Sequence, residues 1–151
     1  KGQAVRRYVM KILSNDVPYK NYWHFIGSTK YRKNMFTQEI MRTRLEEIIR
    51  QICADKPELN LIEITVAYNH FHALIEVNMD LSKAAQILYG TSARYMRRDF
   101  PILKEMASKG MWGGRSALAI KDQKHLANTI SYIQSHKPDN TKIHKGVEDK
   151  K

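Results

Sequence analysis

Apolar and polar positions along this chain follow two periods, a repeat of two that marks strands and one near 3.6 that marks helices. The aromatic-rich run Tyr22-Trp23-His24-Phe25-Ile26 carries no breaker and predicts a strand. Behind Thr37, a candidate helix N-cap, Ile40, Met41, Leu45, Ile48, Ile49 and Ile52 recur at helical spacing until Pro57 closes the element. Two strand-like runs follow, 61–68 and 71–77, joined so tightly through Asn69-His70 that they predict a hairpin. Asp80 or Ser82 is placed to cap a second helix running through Leu88 and stopping at Gly90. Thr91 or Ser92 restarts a third, which reaches about Phe100 before Pro101. A glycine-rich stretch, 108–116, leads into a short strand over 116–120, and Asp122 caps a last helix from Gln123 to about His136.

The order β-α-β-β-α-(α)-β-α contains β-α-β-β-α-β, the split β-α-β or ferredoxin-like arrangement. The expected class is therefore α+β: an antiparallel sheet with helices on one face and an extra C-terminal helix. Breakers and charge divide the chain into a basic arm or helix (1–20), one domain (21–137) and a polar tail (138–151).

Composition narrows the partners. Lys and Arg number 26 against 15 Asp and Glu, a net charge of +11, which points to a polyanion. A hydrophobic fraction of 42% is that of a globular chain. The lone Cys53 excludes an internal disulfide framework and any cysteine-rich zinc site. No apolar run approaches the ~20 residues of a membrane span, and no secretory signal is visible, so the expected location is the cytoplasm.

The triplet His70-Phe71-His72 carries the most chemistry. On a strand its two imidazoles share a face, about 7 Å apart by the ~3.3 Å rise per residue, while Phe71 turns to the core. Such a pair is a platform for a metal ion, and reads equally as two surface histidines. On the last helix Tyr132 and His136 stand one turn apart and share a face. There His136 can add a third imidazole, leaving positions open for substrate, and Tyr132 can reach a phosphate held by that metal. The plainer readings are an amphipathic tyrosine packed on the sheet and a histidine favoured by the helix dipole.

Five pieces in order then make the sequence resemble the single-tyrosine HUH transposases of the smallest insertion sequences, which move as single-stranded DNA. They are Thr29-Lys30-Tyr31-Arg32 at a strand end, Asn69 to Glu76 around the histidine pair, Gly90-Thr91-Ser92-Ala93-Arg94 with Phe100-Pro101, Trp112-Gly113-Gly114, and Ser131-Tyr132-Ile133-Gln134. The resemblance spans about residues 22–137. One departure matters. The family usually places a Gln one turn after the tyrosine as third ligand, and this chain has His136 there, while Gln134 lies roughly 200° around the helix from Tyr132.

The resemblance implies a DNA transposase with Tyr132 as nucleophile and His70, His72 and His136 as ligands of Mg²⁺ or Mn²⁺, zinc being compatible with three histidines. It implies cleavage of single-stranded DNA through a 5′-phosphotyrosine, recognition of subterminal hairpins, and a homodimer in which the tyrosine can serve the partner's histidines. With that partner in view, Lys30, Tyr31, Arg32 and Lys33 form one group of expected DNA contacts, with Tyr31 able to stack on a base. Arg94, Arg97, Arg98 and Arg115 form the other, and the two groups are expected to flank the histidines. The rival readings are a domesticated palindrome-binding relative, a non-catalytic single-strand-binding module, a zinc hydrolase, and a replication initiator or relaxase. Relaxases place the tyrosine before the histidines. His24, His125 and His144 are expected to be structural or solvated, and Glu63 and Glu76 are candidates to support the site or to sit as exposed strand charges.

Overall fold

A computed structural model describes residues 10–13 and 17–138. Five strands form one sheet: β1 (Lys11–Ile12), β2 (Tyr22–Thr29), β3 (Leu59–Val66), β4 (His70–Val77) and β5 (Trp112–Ala119). Their spatial order is β1-β5-β2-β4-β3. Every pairing is antiparallel except β1 with β5. Without β1, the order is that of the ferredoxin-like arrangement read from the sequence. The helices are α1 (Glu39–Ala54), α2 (Leu81–Ala85), α3 (Thr91–Asp99), α4 (Ile102–Met106) and α5 (Gln123–Ser135). No helix among the described residues is long and apolar enough to cross a membrane.

The larger core lies on one face of the sheet. Helix α1 buries Met41, Leu45, Ile48, Ile49 and Ile52 there, in one cluster with Phe25, Phe71 and Ile75. Each such burial is worth about 1.5–3 kcal/mol. The α2–α3 segment adds Leu88, Tyr89 and Met96 to the same cluster. On the other face α5 closes a smaller cluster of Leu74, Ile120, Leu126 and Ile133. The helices therefore split between the two faces, with the C-terminal one alone opposite the rest.

Several expectations shift. The N-terminal segment contributes β1, which pairs Lys11 with Ser116 and Ile12 with Ala117. Two exposed residues joined only by backbone bonds leave no hydrophobic period to read. Residues 1–9, 14–16, and the tail from Asp139, His144 included, lie outside the described residues. The N-cap position of α1 is Gln38 rather than Thr37; its side chain makes no capping bond, and the Arg42 guanidinium donates to the carbonyls of Phe36 and Thr37. Asp80 caps α2 as expected, its carboxylate accepting from the Lys83 N–H. Gly90 does not stop the helix: Gln86–Gly90 forms a π-helical turn that carries α2 straight into α3. Such turns recur at functional sites. Beyond Pro101 the chain adds α4.

Strand β5 begins at Trp112, earlier than the glycines suggest. Close approach is the reason. A Cβ at Gly113 would lie 2.9 Å from the Lys30 Cα, and one at Gly114 would overlap the Ser28 hydroxyl. Only glycine lets β5 press this tightly on the end of β2.

Candidate metal and tyrosine site

Register places the site. In the β2–β4 ladder Ser28 faces His70, Ile26 faces His72 and His24 faces Leu74. Cross-strand partners share a face, so His24, His70 and His72 project together toward α5, and Phe71 goes into the main core. Asp122 starts α5 by accepting from the His125 N–H. The helix ends at Ser135, with His136 as its extended C-cap residue. Two residues on, the Pro138 carbonyl accepts the Tyr68 N–H at 2.8 Å, pinning this end of the chain to the β3–β4 turn.

Three imidazoles meet there. One nitrogen from each of His70, His72 and His136 lies within 4.8 Å of the others. His70 Nε2 and His136 Nε2 are 2.7 Å apart. Tyr132 joins them, its ring centroid 5.2 Å from that of His72 and 5.4 Å from that of His136. His70 and His72 are fully buried, and Tyr132 and His136 are half-buried.

The far nitrogens of the two strand histidines are held in place. The Asn69 amide donates to the Arg32 carbonyl at 3.3 Å, which leaves its oxygen to accept from His70 Nδ1–H at 2.8 Å. His70 Nε2 then carries the lone pair that faces the cluster. On the second histidine, His72 Nδ1 is 2.9 Å from His24 Nε2. A neutral His24 accepts the Nδ1 proton and turns His72 Nε2 toward the site. Burial favours that neutral form, holding His24 far below its ordinary value, at about 3. Outer partners of this kind fix the tautomer and orientation of metal-binding histidines. Three nitrogen donors, two of them oriented, fit a divalent ion with open positions.

Two outcomes follow. Asn69→Ala should weaken divalent-ion affinity roughly 10–100-fold without unfolding the chain, as loss of an outer partner does; isothermal titration calorimetry reads it, and unchanged affinity would contradict the role. His24 governs acid stability. Unfolded chains take up its proton near pH 6.5 and the folded chain does not until about 3. Its contribution is complete above pH 6.5 and is lost as pH falls toward 3, at about 1.4 kcal/mol per pH unit. In His24→Phe the pH dependence of the urea unfolding free energy over that window should shrink by about one bound proton; equal slopes would count against it.

Electrostatics sets the other two groups. Burial pushes the Tyr132 phenol above its ordinary value and draws the His136 imidazole below its own. Burial thus favours the neutral form of His136, the form a metal needs, and disfavours the ionised form of Tyr132.

Other expected residues go elsewhere. Gln134 donates to the Glu63 carboxylate at 2.9 Å and takes no part in the cluster. Glu76 bonds Asn60 and Asn78. Cys53 is buried in the main core, and burial pushes its thiol up to about 11. Lys30, Tyr31 and Arg32 form a tight turn in which Tyr31 and Arg32 take left-handed backbone angles, φ 58° and 55°. Such angles cost a non-glycine residue on the order of 1–2 kcal/mol. Bonds from the Thr29 hydroxyl to the Lys33 carbonyl and from Asn69 to Arg32 hold the turn. It leaves Tyr31 74% exposed. Asn69 therefore ties this basic turn directly to His70. The second basic group does not flank the histidines. Arg94, Arg97 and Arg115 line a cleft on the opposite face of the sheet, and Arg98 is paired with Asp99 at 2.8 Å.

His24 and Asn69 were the supporting residues that sequence reasoning missed. The available signal was parity: a histidine inside an apolar strand faces whatever its neighbouring strand presents at the paired position.

A family profile described as transposase IS200-like matches residues 18–136. Among solved structures, a protein of Deinococcus radiodurans R1, provisionally assigned as a transposase, is 27% identical. The match covers 80% of this chain and 94% of that one, with a TM-score of 0.62. A REP-associated tyrosine transposase bound to a REP hairpin is 18% identical over 80% of this chain and 68% of its own, with a TM-score of 0.55. At that identity the likeness is one of fold. A comparison with curated proteins finds no match.

Proposed function

The chain belongs to the IS200-like transposase family, and from that premise we propose that it cleaves and rejoins single-stranded DNA through a covalent bond to Tyr132. The observation that carries this reading is the tyrosine ring beside a cluster of three histidine nitrogens gathered within 4.8 Å. His70, His72 and His136 would hold the divalent ion. When bound, it supplies positive charge to stabilise a phosphate in the transition state. Imidazole donors favour zinc over manganese, and either over magnesium, whose chemistry prefers oxygen.

The chain's own residues do the rest. Tyr132 Oη attacks the phosphorus in line, an Oη–P bond forms and the P–O3′ bond breaks. The phenolic proton ends on the departing 3′-oxygen. One phosphoester replaces another, so a second 3′-hydroxyl can reverse the step and join new ends, which water-mediated hydrolysis does not allow. Burial disfavours the ionised Tyr132 phenol, and a cationic centre beside it would favour that form. Lys30, Tyr31, Arg32 and Lys33, with Arg94, Arg97, Arg98 and Arg115, are the proposed DNA contacts. Hairpin ends are the proposed recognition element, and a homodimer is the proposed assembly. In the single chain Tyr132 stands against its own His72, an arrangement compatible with cleavage in cis.

The test is a labelled single strand carrying a hairpin, incubated with and without Mn²⁺ or Mg²⁺. Metal-dependent cleavage that leaves a 3′-hydroxyl is expected, with the matching duplex untouched. Products with a free 5′-phosphate formed from the outset would instead indicate a hydrolase.

A further inference from the structure

Strand β3 changes face part-way along its length. Its ladder with β4 pairs Leu61 with Ile75 and then Glu63 with Leu74, so Ile62 is the extra residue of a β-bulge. Leu61 and Ile75 belong to the main core, whereas Ile62 and Leu74 belong to the smaller cluster under α5. Without the bulge, the two-residue period would turn Glu63 toward the main core with Leu61. With it, Glu63 faces α5, on the side of the sheet that carries His70 and His72. Bulges recur beside active sites, where they re-aim a side chain.

The re-aimed carboxylate has a defined task. One oxygen accepts the Ile64 N–H at 3.2 Å, tying the carboxylate to its own strand, and the other accepts from the Gln134 amide at 2.9 Å. Successive residues on a helix are about 100° apart. Ile133 is buried against the sheet, so Tyr132 and Gln134 stand on the two flanks of α5, about 100° to either side of it. Tyr132 leans toward β2 and β4, its ring centroid 6.4 Å from that of His24 and 5.2 Å from that of His72. Gln134 is held on the opposite flank by the edge strand β3. A roll of α5 about its axis would lift one flank and lower the other. At the ~5–6 Å radius of a helix with its side chains, a roll of about 10° moves a side chain by about 1 Å. A misplacement of about 1 Å can cost on the order of 10²-fold in rate. Beyond the helix the Tyr68 N–H anchors the Pro138 carbonyl, so His136 is bracketed by anchored residues on both sides.

Resting on the transposase reading, we propose that Glu63 is a positioning residue for strand cleavage: by holding Gln134 it fixes the roll of α5, and with it the approach of Tyr132 to the histidines.

The test has two readouts. The first is nuclear magnetic resonance of the protein in EDTA, following the cross-relaxation peaks between the rings of Tyr132 and His72. Glu63→Ala and Gln134→Ala should each lose most of that intensity. The second is the single-turnover rate of adduct formation with a labelled hairpin strand at saturating Mn²⁺. Each variant should lose about tenfold or more in rate, with DNA affinity in EDTA within about twofold of the wild type. Glu63→Gln, which keeps an oxygen facing Gln134, should hold the rate within about threefold. The double variant should lose no more than either single one, because both remove the same bond. Gln51→Ala removes an amide–carboxylate bond of the same kind on α1, that to Asp55 at 2.8 Å, and should match the wild type in both readouts. Unchanged ring–ring peaks in the single variants would overturn the proposal, as would wild-type rates in both or losses that multiply in the double variant. Gln134 is exposed on the helix surface, so its variant decides the matter if Glu63→Ala fails to fold. Wild-type chain that forms no adduct would overturn the transposase reading, and the ring–ring peaks would then judge the role of Glu63 by themselves.

Discussion

Tyr132→Phe should abolish the covalent protein–DNA adduct, lowering strand cleavage on the order of 10⁴-fold or more, as loss of a nucleophile does. The substitution removes one oxygen and keeps the ring that packs 5.2 Å from His72 and 5.4 Å from His136. Fold, metal affinity and DNA affinity should therefore stay within about twofold of the wild type, a change below ~0.5 kcal/mol. This separation distinguishes the competing readings. A zinc hydrolase that activates water would keep turning over without the phenol. A non-catalytic binding module would show no adduct in either protein. Cleavage that survives in Tyr132→Phe would remove the tyrosine from the reaction.

Removing a histidine should act on the other half of the chemistry. His70→Ala and His72→Ala should each lower divalent-ion affinity by at least about 100-fold, more than loss of an outer partner such as Asn69. The adduct should disappear with the ion at ordinary metal concentrations. His136→Ala should do the same, although this position is a C-cap outside the regular helix. His136→Gln, which restores the ligand type the resembled family uses there, should recover part of the activity. Affinities measured by competition with a chromogenic chelator should rank zinc above manganese and manganese above magnesium. A His136→Ala protein with wild-type metal affinity would show that two histidines suffice.

The legible parts of the sequence were those with a strong period. Strand β4 announced itself because His70, Phe71 and His72 alternate within an apolar run, and α1 because its buried positions repeat at helical spacing. Tyr132 and His136 were readable as neighbours because one turn separates them. Features that depend on tertiary contact were not. Strand β1 has two exposed residues and exists only because the edge of β5 offers backbone partners. Gly90 reads as a stop, yet its backbone is helical, φ −68° and ψ −46°, and a π turn carries it through. Gly113 and Gly114 read as a loop although they lie in β5, because the crowding that requires them comes from Lys30 and Ser28, far away in sequence.

The site shows the same division. The three ligand candidates came from spacing, but their support did not. His24 looks like an isolated polar residue until the β2–β4 register brings it to His72, and Asn69 looks like a turn residue until its amide is seen to bridge Arg32 and His70. The arginines illustrate the converse. Arg94, Arg97 and Arg98 share helical spacing, yet Asp99 takes Arg98 away from the cleft that the other two line. Their expected place beside the histidines failed because helical spacing gives a face of the helix and not the face of the sheet beneath it.

The most direct test of the central claim is mass spectrometry of the protein–DNA adduct after nuclease and trypsin digestion. Cleavage after Lys124 and Lys142, the Lys137–Pro138 bond being resistant to trypsin, yields a peptide, 125–142, in which Tyr132 is the sole tyrosine. A nucleotide linked through its 5′-phosphate to Tyr132 in that peptide is the predicted result. The same mass on any other residue, or an unmodified peptide from protein that has cleaved the strand, would contradict the account.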